Sequence, residues 1–362
     1  MCFWGDHNIR FLDVALATCW MYHRTYYRVG YCGPNVNGID NTVTLWNHLQ
    51  NRRDLQSLLE AALGFDVTEP RDRMFGMLGL CDASQYHLRS KLDYSKGVSH
   101  AYTTATRACL YQSRSLRMLT HCMLSADRET HSSEDESFPS WVPGYDLWHT
   151  SYDNGPHRPP IYAQVAYRLL DIDSACGRYT LPRSSLASSP GPNILQIVGI
   201  VLGDAADLGT CISTYIEDNW AMLGLEVSRM WTLACKATWS IQTTPEESDQ
   251  ILAFARTLTC GLNADSSTVA DEVRFREDFL DFIERCMLES YDVFRGLGAL
   301  HEDLRQRPKN SNGDAMRFLD ALAYSENLTF FRTSNGYMGM GPQGIHPSDK
   351  ICILFGGKVP LS

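Results

Sequence analysis

No stretch of the chain holds the roughly 18 consecutive apolar residues that a membrane-spanning helix requires, so insertion into a bilayer is not expected. Cations are in deficit: 32 Lys and Arg stand against 42 Asp and Glu, a net charge of −10, and no long basic run offsets it. A nucleic-acid backbone is held by clustered cations that displace its counterions, so that class of partner is set aside. Neither a G-K-[ST] phosphate loop, an H-E-x-x-H zinc helix nor a G-x-S-x-G nucleophile elbow occurs, which removes the local entry point of three enzyme classes. The twelve cysteines include no C-x-x-C pair, and the eleven histidines form no short-spaced cluster with them. Neither a disulfide framework, a metal site nor a cofactor is therefore expected. Cysteines such as Cys19, Cys81, Cys109, Cys176 and Cys286 are far apart, often within apolar runs, and read as small buried hydrophobes of a reducing compartment. Asp6 and Asp13 interrupt the N-terminus where a secretory leader needs a basic start and an apolar run, so the chain is expected in the cytoplasm and the Asn327-Leu328-Thr329 sequon is expected to go unused.

What is present is the make-up of an ordinary globular protein. At 44% hydrophobic and 20% charged the chain can bury a core, and 362 residues suggest two packed units or one with a large insertion.

The front third reads as helical. Leu45, Leu49, Leu55, Leu58, Leu59 and Ala62 recur near the helical period over 41–63, with Gly64 as the stop. A second helix opens at Thr68 as cap, with Glu69 at its positive end and Pro70 in the first turn; Met74, Met77 and Leu78 face inward, and Gly79 ends it. Val98, Tyr102, Ala105 and Cys109 mark a third helix within 94–112. Residues 125–160 carry linker composition, within which Phe138-Pro139-Ser140-Trp141-Val142-Pro143 reads as an anchored crossover, since Trp141 needs a covering surface.

The remainder mixes periods. Ile194–Leu202 is a strand candidate bounded by Gly203, and 161–170 a weaker one. Helices follow near 217–238, from Thr244-Pro245-Glu246-Glu247 onward, over 268–290 and over 314–325. Thr329–Thr333 and Tyr337–Met340 flank Ser334-Asn335-Gly336, a hairpin signal because Asn and Gly tolerate positive φ. Lys350–Phe355, apolar on both faces, reads as a buried strand, after which Gly356-Gly357 turns the chain toward 359–361. The fold class is therefore α+β: a helical N-terminal part over 1–124, a crossover over 125–160, and a C-terminal part over 161–362. In the last, strands near 161–202 and 329–361 form one small antiparallel sheet or barrel around helices inserted over 215–326.

Three local features invite chemistry. Gly339-Met340-Gly341-Pro342-Gln343-Gly344 satisfies G-x-G-x-x-G, yet prolines and a strand follow in place of the helix that would receive a pyrophosphate, so a tight β turn is expected. His121-Cys122 are neighbours whose side chains diverge on either kind of element, so a buried structural cysteine is expected. In Arg71-Asp72-Arg73, Asp72 fits a helical first turn, and one arginine is expected to form a fixed, partly buried ion pair to another segment. The functional alternative is an anion or partner contact by Arg71 or Arg73.

Pro70, Arg71, Asp72, Phe75, Leu78, Gly79 and Leu80, followed by Asp93-Tyr94-Ser95-Lys96, Pro139–Pro143 with Trp141 and Pro143, and the C-terminal runs Phe331–Gly341 and Asp349–Pro360, come in one order. In that order they resemble the region that follows the signature core in fungal heterokaryon-incompatibility (HET domain) proteins. The core's Trp-Ile-Asp-Ala-Leu-Cys-Ile-Asn-Gln and Trp-x-x-Arg-x-Trp types of segment are not found, so the resemblance implies a chain that starts downstream of that core. It also implies that Pro70, Arg71, Asp72, Gly79, Asp93, Tyr94, Trp141, Pro143, Asn335, Gly336, Gly341, Gly356 and Gly357 are structural signature positions. The function so implied is non-catalytic: self/non-self recognition and the associated cell-death response, through contacts with other proteins. Two readings stand beside it. One is a nucleotide hydrolase with a site assembled near Arg71 and Asp72 from residues distant in sequence; the other is a scaffold that offers its C-terminal edge strand to a partner.

Overall fold

A computed structural model describes residues 2–4, 7–17, 45–46, 54–62, 67–81, 93–122, 139–145, 181–182, 191, 193–212, 219–235, 247–265, 267–289, 300, 304–305, 307, 312–325, 328–342 and 344–357. The chain divides into two compact units, one of residues 1–159 and 181–197, the other of 160–180 and 198–362.

In the first unit, β1 (Cys2–Trp4) pairs antiparallel with β2 (His7–Ile9). After a helical stretch over 11–17 come α1 (Leu55–Ala61), α2 (Pro70–Leu80) and α3 (Val98–Ser113), each packed on the other two, and then a 3₁₀ turn, Arg117–His121. Their apolar stripes meet: Leu55, Leu58, Leu59, Met74, Leu78, Ala101, Tyr102, Ala105, Cys109 and Leu110 are all buried. The boundaries correct the periodicity reading in three places. A single helix over 41–63 is ruled out, because Asp54 has extended backbone and its carboxylate accepts the Ser57 N–H at 2.9 Å, which starts a new helix at Leu55. The cap of α2 is Glu69, not Thr68; its side chain reaches the Arg71 N–H, and Pro70 takes the first helical position, where no amide is needed. Nor does Gly79 end α2, which runs through Leu80 to a cap at Cys81. The expected stop at Gly64 lies outside the described residues.

The second unit is built on a sheet whose strand order is β5-β4-β3-β6, all antiparallel. The strands are β3 (Gly199–Cys211), β4 (Leu328–Thr333), β5 (Met338–Pro342) and β6 (Lys350–Leu354). The strand expected at Ile194–Leu202 starts later and runs much further. Gly203 does not stop it but carries it through a register shift at φ +139, a conformation open to glycine. Up to Asp204 the strand pairs with β6, Gly199 facing Leu354; from Ala205 it pairs with β4, Cys211 facing Thr329. The two strand groups thus share one backbone ladder, as an α+β fold with an inserted helical region requires.

Between β3 and β4 lie α4 (Trp220–Cys235), α5 (Glu247–Leu258), α6 (Glu272–Glu289) and α7 (Ala315–Leu322), the last running into a 3₁₀ turn, Ala323–Ser325. Asp271 caps α6 through the Arg274 N–H, and Asp314 caps α7 through those of Met316 and Arg317. Their apolar faces close on Trp231, Phe254, Phe279, Phe282 and Phe318. Phe254 ties helices to sheet, edge-on to Trp231 at 5.1 Å, Phe279 at 6.1 Å and Phe330 of β4 at 5.8 Å. β6 departs from expectation: only Ile351 is buried, Lys350 is exposed and Cys352, Ile353 and Leu354 are part-buried. The strands expected at 161–170 and 359–361, and the Thr244-Pro245 helix start, lie outside the described residues.

Because Phe254 is fully buried and touches three other rings, Phe254→Ala is expected to cost about 3–5 kcal/mol. Met222→Ala, on the half-exposed side of α4, is expected to change stability by less than about 0.5 kcal/mol. Urea denaturation of the two variants checks both values.

Candidate functional site

The residues singled out around Arg71 and Asp72 meet in one place. The turn 93–96 lies against the first turn of α2, and Arg71 joins them: Nη1 donates to the carbonyl oxygens of Tyr94 at 2.8 Å and Lys96 at 3.1 Å. Its Nε donates to Glu69 at 2.7 Å, and the guanidinium lies 4.8 Å from the Tyr94 ring centre. Tyr94 closes the other side, its hydroxyl donating to Asp72 and its ring packing on Phe75 at 4.7 Å. Asp93 shapes the turn by accepting from the Ser95 N–H and hydroxyl, and Pro70 offers its carbonyl to the Tyr102 hydroxyl at 3.2 Å. Asp72 is in the first helical turn, as its helix-end preference anticipates. Arg71 pairs locally with Glu69 and spends its reach on main-chain carbonyls, while Arg73 is buried and donates to the Ala62 carbonyl at 2.6 Å. A planar fork of donors suits two carbonyls plus a ring face better than an ammonium would.

Two carboxylates of this surface are held below their ordinary range: Glu69 chiefly by the hydrogen bond from Arg71, and Asp93 chiefly by that from the Ser95 hydroxyl. The Tyr94 phenol is raised, chiefly by its bond to Asp72. Asp72, Asp93, Tyr94, Ser95 and Lys96 are all exposed, so the groups are wet and mutually satisfied.

Deeper in the same unit is a polar cluster that sequence reading did not single out. Arg117 donates to Glu60 with both side chains almost fully buried; Gln56 donates to the same carboxylate at 3.2 Å, and His121 Nε2 lies 3.7 Å from it. The available signals were a glutamate among Leu58, Leu59 and Ala62, and an arginine between Leu116 and Met118. His121 lies against Glu60, while Cys122 is only part-buried and not the buried cysteine that was expected. Trp141 does have its covering surface: its indole N–H donates to the Asn193 carbonyl at 3.0 Å, and Arg107 of α3 lies 5.0 Å from its ring. Arg107 also donates to the carbonyls of Gly191 and Ile194, while Pro143 and Val142 are buried.

In the second unit the remaining signature residues belong to the sheet. The hairpin loop is three residues long: Thr333 N–H bonds to Tyr337, and only Gly336 uses positive φ, +90. Asn335 has a different task from the one its turn propensity implied, donating from Nδ2 to the Leu202 carbonyl at 2.8 Å. Gly341 is not in a tight turn after Gly339 but in β5, opposite Thr329, with Gly339 opposite Phe331. A Cβ on Gly339 would strike the Phe331 ring, so this glycine-rich run leaves room for an aromatic. Gly356 turns the chain after β6 at φ +88, and the Gly357 N–H bonds to Leu354 at 2.9 Å. A cleft of about 190 Å³ opens beside α6 and α7, lined by Asp265, Asp271, Arg274, Asp278 and Arg317 among others. Several of its charged groups are engaged: Arg317 Nε donates to Asp278 at 2.7 Å, Asp271 accepts the Arg274 N–H, and Asp265 accepts from the Ser267 N–H and hydroxyl.

Among the described residues no group of three His, Cys, Asp or Glu side chains is placed to hold a metal ion. Burial pushes the Cys286 thiol up to about 12 and that of Cys260 up to about 11. No described helix is long and apolar enough to cross a membrane.

No family model matches the chain. No solved structure matches it either. Over 331 residues the chain is 23% identical to heterokaryon incompatibility protein 6, OR allele, of Neurospora crassa. The match covers 81% of this chain and 45% of the other, so the chain spans less than half the length of that curated relative.

Three outcomes follow from the geometry. Arg71→Ala is expected to cost on the order of 1–2 kcal/mol, the lower range for hydrogen bonds to a charged group because the side chain is one-quarter exposed, and Arg71→Lys to restore little of it. Amide hydrogen exchange at 94–97 should accelerate in both variants. Glu69 and Asp93 have lowered folded values, so their contribution is present above the unfolded carboxylate range near 4 and lost as pH falls through the folded values. Protection of the 94–97 amides, taken relative to their intrinsic exchange rates, is expected to fall below about pH 4 for that reason, and Glu69→Gln to flatten the dependence. Finally, Arg117→Met leaves Glu60 buried without its cation and is expected to cost about 3–5 kcal/mol, whereas the double variant Glu60→Leu with Arg117→Met recovers much of that loss in a thermal melt.

Proposed function

We propose that the chain acts in fungal heterokaryon incompatibility, in self/non-self recognition and the cell-death response tied to it, through contacts with other proteins and without catalysing a reaction of its own. The observation that carries this reading is how the signature residues are spent. Arg71, Asp72, Tyr94 and Trp141 satisfy one another, or main-chain carbonyls, at the surface of one unit. The distant likeness to a Neurospora crassa incompatibility protein supports the same process. A hydrolytic site near Arg71 would need desolvated groups converging on a cavity, and the exposure of Asp72, Asp93 and Tyr94 counts against one.

The test is expression in a filamentous fungal host, pairing transformants with strains of differing compatibility. The expected result is altered growth or viability of fused cells, dependent on the partner strain and weakened by Arg71→Ala. No effect on growth or fusion in any pairing would overturn the reading. So would turnover of a nucleotide by the purified polypeptide, if Asp72→Asn abolished it while leaving the melting curve unchanged.

A further inference from the structure

We draw no further inference here: the strongest candidate, the exposed β-branched run Val198, Ile200 and Val201 at the end of the second unit's sheet where β3 pairs with β6, is an apolar face for which nothing in the structure shows what covers it.

Discussion

The second unit depends on one strand serving two partners. β3 pairs with β6 along its first half and with β4 along its second, changing over near Gly203, where the register shifts. Residues flanking the shift are held from the side, the Asp204 N–H by the Ser334 hydroxyl and the Leu202 carbonyl by Asn335. The hairpin tip therefore sits where the ladder is irregular, supplying partners to backbone groups that a regular pair would otherwise provide. The helices between β3 and β4 have a correspondingly fixed start and finish. With both ends pinned to neighbouring strands, they close over β4 through the rings around Phe254 and Phe330.

The first unit solves a different problem, the docking of short segments onto three small helices. Its solution is repeated: a long cation reaches main-chain carbonyls while its flat face covers an aromatic ring. Arg71 does this with Tyr94 and Lys96, and Arg107 with Trp141, Gly191 and Ile194. Carbonyl acceptors are available wherever the chain passes, so such clasps fix a segment's path without demanding an acid on the segment they hold. Glu60 and Arg117 are the buried counterpart, where desolvation forces charge to meet charge.

Much of this was legible from residue order, and the failures share a cause. The helices α4 to α7 were legible from helix start and stop signals, and the β4–β5 hairpin from Asn335-Gly336, because those signals are local. Helix and strand limits were misread wherever a residue has two uses. Gly203 can stop a strand or bend it, Gly79 can end a helix or ride in it, and Asp54 can lie on a helix face or begin a helix. At the candidate site, the residue types were legible but their partners were not. Nothing near Arg71 in sequence names Lys96, and nothing near Glu60 names Arg117. Asn335 was singled out for its backbone tolerance, whereas the structure uses its amide.

The ladder between Cys211 and Thr329 spans the entire helical insertion, which bears on how the chain matures. Topologies dominated by such distant pairings collapse late, because the entropy of closing the loop is spent before any contact rewards it. During synthesis β3 leaves the ribosome long before β4 and β6 exist, carrying Ile200 and Val201 on a strand with no neighbour. An unpaired apolar strand is a template for pairing with other copies. Nascent chains halted before residue 354 are thus the species most in need of a chaperone, and proteolytic loss of β6 would strip Gly199–Asp204 of its ladder while leaving the pairing with β4 in place.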